Sequence, residues 1–197
     1  MQRSLRATLI LASQSPRRAE ILRNAGYEFE VRAATVDEAP LQDEPAGDYV
    51  LRLARAKARA VAGRLERGAA EAIVIGADTI VLADGHILGK PADIQDARRM
   101  LRLLSGTTHE VITGVAAIAW PANRETTLAE RTRVTFRPLS DSDIEGYIAT
   151  GEPFDKAGSY GIQGIGGRFI PRIEGCYFNV MGLPLAALAE MLRGATR

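Results

Sequence analysis

The segment Thr8-Leu-Ile-Leu-Ala-Ser-Gln-Ser-Pro-Arg-Arg18 passes within a few residues from an apolar run to a Ser-Pro pair followed by two arginines. The run Thr8 to Ala12 has the length and polar bounds of a buried strand, Ser15 stands where a helix N-cap would, and Pro16 fits a first helical turn. Ala19, Ile21, Leu22 and Ala25 then suit one helical face, and Gly26 lies where a C′ glycine ends a helix. Strand, tight loop, helix is how an α/β chain begins.

Outward from this unit the mixture continues. Val50, Leu53, Ala54, Ala60 and Val61 recur at helical spacing from Asp48 to about Leu65, and Lys57 falls on the same stripe. Ala72 to Leu82 is a strand pattern interrupted by Gly76-Ala-Asp-Thr79. Ala83-Asp-Gly-His86 reads as a hairpin turn into Ile87-Leu88. A helix is expected from about Ile94 to Leu104, ended by Ser105-Gly106. Strands are expected over Val111 to Ala119 and Thr126 to Phe136, and a capped helix from Ser140-Asp-Ser-Asp143 to about Thr150. Gly158, Gly161, Gly164, Gly166 and Gly167 precede an apolar strand-like stretch, and Leu183 to Leu192 reads as a closing amphipathic helix. With no repeat, low-complexity tract or long linker, the pattern predicts a single α/β domain over residues 1–197, in one body or two lobes.

Composition narrows the function. Of 197 residues 46% are hydrophobic and 25% charged, too much apolar material for a disordered chain. With 25 Lys+Arg against 24 Asp+Glu the net charge is +1, which gives no general field for a polyanion or an anionic bilayer, so any anion site must be local. Cys176 is alone, which excludes an internal disulfide and a cysteine-rich zinc site. No stretch approaches the roughly 20 apolar residues of a membrane span. Met1 to Ser13 does not resemble a signal peptide, its apolar run being shorter than an h-region of roughly 7–15 residues. A cytoplasmic location and no membrane partner are therefore expected.

Five places could carry chemistry. The Ser13 to Arg18 loop offers backbone N–H groups at a helix start, two hydroxyls and the guanidiniums of Arg17 and Arg18, a set suited to phosphate; a capped helix with solvated arginines would look the same. Lys57 either snorkels from its helix or presents a cation to a cleft. Asp78 inside a buried strand needs a partner, whether metal, lysine or arginine, and could ligate a hard cation, accept a proton from water or form a structural ion pair. Lys90 is held extended in Gly89-Lys-Pro91. The segment from Gly151 to Gly167 either approaches a ligand closely through its glycines, with Gln163 reading a base edge, or is a flexible loop. It matches neither a Walker loop nor G-x-G-x-x-G after a strand. His86 and His109 lack an adjacent nucleophile and read as structural, which leaves carboxylate and metal chemistry.

Taken together, Leu11-Ala-Ser-Gln-Ser-Pro-Arg-Arg18, Leu53-Ala-Arg-Ala-Lys57-Ala, Gly76-Ala-Asp-Thr79, Gly89-Lys-Pro91, Leu104-Ser-Gly-Thr, Thr113-Gly-Val, Gly151-Glu-Pro-Phe-Asp-Lys-Ala-Gly158 and Gly161-Ile-Gln-Gly164 occur in order from Leu11 to about Pro184. In this the chain resembles the Maf-like nucleoside triphosphate pyrophosphatases, a family once named for an effect on septum formation. The resemblance implies a bilobal α/β fold with an elongated mixed central sheet flanked by helices, like that of the house-cleaning inosine triphosphate pyrophosphatases, with a nucleotide cleft between lobes. It implies hydrolysis between the α and β phosphates, giving a nucleoside monophosphate and pyrophosphate, with a divalent cation such as Mg²⁺ or Mn²⁺. Asp78 matches the proton acceptor or metal ligand, and Ser13, Arg17, Lys57 and Lys90 match the phosphate-contacting set. Glu38 and Asp155 are weaker metal or base candidates. Gly161-Ile-Gln163-Gly resembles the branch acting on dTTP and UTP, in which Arg17, Thr79 and Gln163 match specificity positions. The family also suggests a homodimer.

The competing expectations are the family's 7-methylguanosine triphosphate specificity and a nucleotide- or nucleic-acid-binding regulator of septum formation. A +1 chain argues for a small nucleotide rather than nucleic acid. Arg17, Lys57 and Lys90 are expected to converge with Asp78 and a metal on one triphosphate, the other charges largely cancelling over the surface.

Overall fold

A computed structural model describes residues 7–66 and 70–195; the start of the Met1 to Ser13 stretch lies outside the described residues. The chain is a mixed α/β protein with a seven-stranded sheet flanked by helices. The sheet is built from β1 (Thr8–Leu11), β2 (Glu30–Val31), β3 (Ala72–Ala83), β4 (His86–Leu88), β5 (Thr108–Trp120), β6 (Arg124–Thr135) and β7 (Arg172–Glu174). Its order is β2-β1-β3-β5-β6-β7, with β4 also pairing with β3. β1 is parallel to both β2 and β3, while β4 and β7 run antiparallel to β3 and β6. The helices are α1 (Pro16–Asn24), α2 (Ala46–Ala62), α3 (Ile94–Leu104), α4 (Asp141–Ile148), α5 (Tyr177–Met181) and α6 (Leu185–Ala195).

Two compact units divide the chain. The first draws on Met1–Asp78, Thr113–Ala129 and Gly182–Arg197. There α2 turns Ala54, Ala58, Val61 and Ala62 into a buried cluster with Ile10, Val74, Ala116 and Ile118. Residues 72–78 of β3 are buried without alternation, as befits a strand covered on both faces. The strand runs unbroken through Gly76-Ala-Asp-Thr79, so Asp78 lies inside a buried strand as the sequence leads one to expect. Ala58, not Ala60, completes the buried stripe of α2.

The second unit comprises Thr79–Ile112 and Glu130–Met181. α3 buries Ala97, Met100, Leu101 and Leu104 at helical spacing. Asp84 and Gly85, both with positive φ, make the expected two-residue turn before β4, and α4 starts with a full capping box from Ser140 and Asp143. The glycine-rich segment forms short 3-10 turns over Glu152–Asp155, Ala157–Ser159 and Ile165–Phe169, and the strand-like stretch after it contracts to the three residues of β7. Among the described residues no helix is long and apolar enough to cross a membrane.

His109 lies inside the second unit's core, 2% exposed. Its Nε2 is 2.8 Å from the Tyr160 hydroxyl, and its ring meets Phe136 edge-on. Burial pushes the imidazole down from 6.5 to about 4. Between those values the unfolded chain binds a proton that the folded chain refuses. The stabilisation from keeping His109 neutral is thus complete above 6.5 and lost as pH falls toward 4; it amounts to roughly 3 kcal/mol. Urea titrations at falling pH are expected to show native stability dropping more steeply than that of His109→Gln; parallel slopes would contradict this.

Candidate active site

β1 ends at Leu11 opposite Ile75 while β3 continues, so Asp78 lies beyond the end of β1, where the chain leaves for Ser13 and the start of α1. Ligands of open α/β sheets favour this carboxyl-end position. The Ser15 side chain makes no cap hydrogen bond; Ser13 takes over, its Oγ accepting from the Ser15 amide at 3.3 Å. Ser13 Oγ also accepts from Arg18 Nη1 at 2.9 Å, and Arg18 Nε donates to the Gly182 carbonyl at 2.8 Å. Arg18 is thus a buried side chain that fixes the loop from inside, while Arg17 remains half-buried. Burial lowers the Arg18 guanidinium below its ordinary value; Asp78 opposes the shift, Arg17 adds to it and Glu38 opposes it.

Lys57 explains its place on the apolar stripe of α2. Its side chain is 13% exposed, and its ammonium lies 2.6 Å from Asp78 Oδ1 and 2.6 Å from Glu38 Oε1. The partner that a buried Asp78 requires is therefore a lysine. Each carboxylate shares that one ammonium, so the two oxygens can be no farther apart than the two contacts placed end to end.

Two glycines let α2 come close enough to make this pairing. A Cβ on Gly76 would stand 2.1 Å from the Ala54 carbonyl oxygen and 2.7 Å from the Ala58 nitrogen; one on Gly114 of β5 would stand 2.4 Å from the Val50 carbonyl oxygen. Alternate strand residues share a face, so Gly76 and Asp78 both look toward α2, the first against its backbone and the second against Lys57. Neither glycine has positive φ: close approach, not turn geometry, requires them.

Nothing in the sequence pattern singles out Tyr49, yet it belongs to this group. Its hydroxyl donates to the Glu38 carbonyl at 2.8 Å. Burial first, then Asp78 and Glu38, push its phenol up, so it remains a donor. One turn on, Arg52 donates to the Ala39 carbonyl at 3.0 Å and pairs with Glu44 at 2.6 Å. Together Tyr49 and Arg52 hold the segment that brings Glu38 to Lys57.

The described residues contain no group of three His, Cys, Asp or Glu side chains able to hold a metal ion. Two carboxylates around one ammonium do not suit a cation caged wholly by protein. They do suit Mg²⁺ or Mn²⁺, which binds through one or two carboxylates and takes its other ligands from water and substrate phosphates.

The remaining candidates belong to the second unit. Thr79 follows Asp78 on β3 and is half-buried. Lys90 is exposed in its turn, which is pinned by the Gly158 amide donating to the Gly89 carbonyl at 3.0 Å. Gln163 is exposed on the glycine-rich loop. Asp155 pairs with Lys156 at 2.6 Å. Elsewhere charges cancel in pairs: Arg59 with Glu125, Arg98 with Glu145, Arg133 with Glu174 and Arg137 with Asp143.

The family model for Maf-like proteins matches residues 8–195. Among similar proteins, a dTTP/UTP pyrophosphatase of Anaeromyxobacter sp. (strain Fw109-5) is 53% identical over 190 residues, covering 95% of this chain and 89% of its own. Others of the same description come from Koribacter versatilis (strain Ellin345), 54% identical over 187 residues with 95% and 94% covered, and Geotalea uraniireducens (strain Rf4), 52% identical over 188 residues with 95% of each covered.

Proposed function

The chain belongs to the Maf-like protein family, and from that premise we infer that it is a nucleoside triphosphate pyrophosphatase acting on dTTP and UTP. The observation that carries the chemistry is the Lys57 ammonium held between Asp78 and Glu38 beyond the end of β1. In the reaction, water adds to one phosphorus of the α–β anhydride, the bridging P–O bond breaks, and nucleoside monophosphate and pyrophosphate separate. Asp78, buried and hydrogen-bonded through one oxygen, is assigned to accept or orient the water's proton. Lys57 places positive charge where the phosphates gain negative charge. Ser13 and Arg17 are assigned to the triphosphate, and Arg18 acts through Ser13.

A divalent cation is part of the proposal. Arg17, Arg18 and Lys57, with Lys90, are four cations proposed for the triphosphate against the two carboxylates of Asp78 and Glu38, an excess of two where a triphosphate carries about four negative charges. Asp78 and Glu38 would hold Mg²⁺ or Mn²⁺, which when bound neutralises phosphate charge and lowers the pKa of water. By resemblance to the family's motifs, Lys90 is proposed for the triphosphate, and Thr79, Gln163 and Arg17 for substrate choice. A glutamine amide can donate to a pyrimidine carbonyl and accept from N3–H.

A nucleotide panel tests the substrate assignment. The kcat/KM for dTTP and UTP is expected to exceed that for 7-methylguanosine triphosphate and ATP by at least about 10-fold, the discrimination that one well-placed hydrogen bond supplies. A larger value for 7-methylguanosine triphosphate would replace the pyrimidine assignment.

A further inference from the structure

Three of the crowded glycines of the second unit, Gly161, Gly164 and Gly166, lie around one carboxylate. Glu152 Oε1 accepts from the Tyr147 hydroxyl at 2.8 Å and the Gly166 amide at 3.2 Å, while Oε2 accepts from the Ile165 amide at 2.8 Å. Tyr147 in turn accepts from the Gly161 amide at 3.1 Å. Lys156 donates to the Glu152 carbonyl at 2.7 Å. The loop from Gly161 to Gly166 is thus tied at both ends to Glu152, directly or through Tyr147, with Gln163 at its exposed middle.

This closeness accounts for Gly161, Gly164 and Gly166. A Cβ on Gly164 would lie 2.4 Å from either Glu152 carboxylate oxygen, one on Gly161 would lie 2.6 Å from Lys156 Cε, and one on Gly166 would lie 2.7 Å from the Tyr147 hydroxyl. None of the three has positive φ. The glycines serve approach to the protein's own side chains, where the sequence suggests either approach to a ligand or flexibility. Burial pushes the Glu152 carboxyl up, but the Ile165 amide, the Tyr147 hydroxyl, the Gly166 amide and the Lys156 charge outweigh it and hold the group below its ordinary value. It therefore stays an acceptor for all three donors.

We propose that Glu152 is a positioning residue for substrate choice: its carboxylate fixes the 161–166 loop so that Gln163 meets the base edge in one orientation. The inference rests on the reading of Gln163 as the base contact. It extends that reading to a residue that touches no substrate. Glu152→Gln keeps the size of the side chain but leaves one end unable to accept from the Ile165 amide.

The test compares kcat/KM for UTP and CTP, which differ at the pyrimidine edge that Gln163 is assigned to read. Gln163→Ala is expected to lower the UTP/CTP ratio by about 10-fold, the effect of one lost hydrogen bond. Glu152→Gln is expected to lower it by a similar factor, through a higher KM for UTP with kcat nearly kept, and the double variant to lower it no further. Tyr147→Phe, which keeps the buried ring, provides a second variant with the same expected direction. If Gln163→Ala changes the ratio while Glu152→Gln and Tyr147→Phe depress both nucleotides equally, Glu152 is only structural and the proposal falls. If Gln163→Ala leaves the ratio unchanged, the base-contact reading falls and the proposal with it.

Discussion

Gly76→Ala is expected to destabilise the protein by at least about 3 kcal/mol, the upper range for forcing a methyl group into a filled interior. The added carbon would lie 2.1 Å from the Ala54 carbonyl oxygen and 2.7 Å from the Ala58 nitrogen, both backbone atoms of α2. Neither is the end of a side chain that could swing away, so helix and strand must separate. For a chain of this size the loss corresponds to a fall in Tm of roughly 6–12 °C. Gly146→Ala supplies the control. It lies in the middle of α4 with nothing within 4 Å of its Cβ position, so removing a helical glycine there should stabilise by about 0.5–1 kcal/mol. Opposite signs for one chemical change in two places would identify close approach as the cause. A Gly76→Ala variant as stable as the native chain would contradict the fit of β3 against α2. Because Asp78 meets Lys57 two residues along the same face, the variant should also lose activity by more than its unfolded fraction explains.

Much of the fold was legible because local signals agreed with the tertiary result. The apolar run before Ser15-Pro16 became β1 and α1, the Asp84-Gly85 turn joined β3 to β4, and the Ser140 capping box opened α4. Where the reading failed, the missing information lay outside the local sequence. Ala58 rather than Ala60 joins the buried stripe of α2, where Gly76 of β3 meets the helix backbone. β2 and α5, of two and five residues, are too short for periodicity to register.

The site divides the same way. Lys57 on an apolar stripe and Asp78 within a strand were each anomalous alone, and each is the other's explanation. The different burial of Arg17 and Arg18 had no sequence signal, since the acceptor that draws Arg18 inward is Gly182, 164 residues later. Tyr49 and Arg52 act by holding the segment of Glu38, and that contact is tertiary. Beside the near-zero net charge stands local pairing: Lys57 lies between two carboxylates, and Arg59 and Arg137 pair with Glu125 and Asp143.

Asp78→Asn carries the largest expected effect on activity. Asparagine preserves the volume and can still meet Lys57, and Glu38 continues to compensate the ammonium, so the variant should fold. It removes the basic oxygen, however, and with it the group assigned to take or orient the proton of the attacking water. Loss of a positioned general base costs about 10²–10⁴-fold in rate. Because Asp78 is also assigned to the divalent cation, the variant should require more Mg²⁺ for half-maximal rate. Unchanged folding with a large fall in kcat separates this role from the structural ion pair, whose loss would appear in stability instead.

The most direct measurement follows the products of dTTP hydrolysis over time with Mg²⁺, for the native protein and for folded Asp78→Asn. The expected result is dTMP and pyrophosphate released in equal amounts by the native protein, without dTDP or orthophosphate as first products, and a rate about 10²–10⁴-fold lower for the variant. Primary release of orthophosphate, or pyrophosphate release at the native rate by Asp78→Asn, would contradict α–β cleavage centred on Asp78.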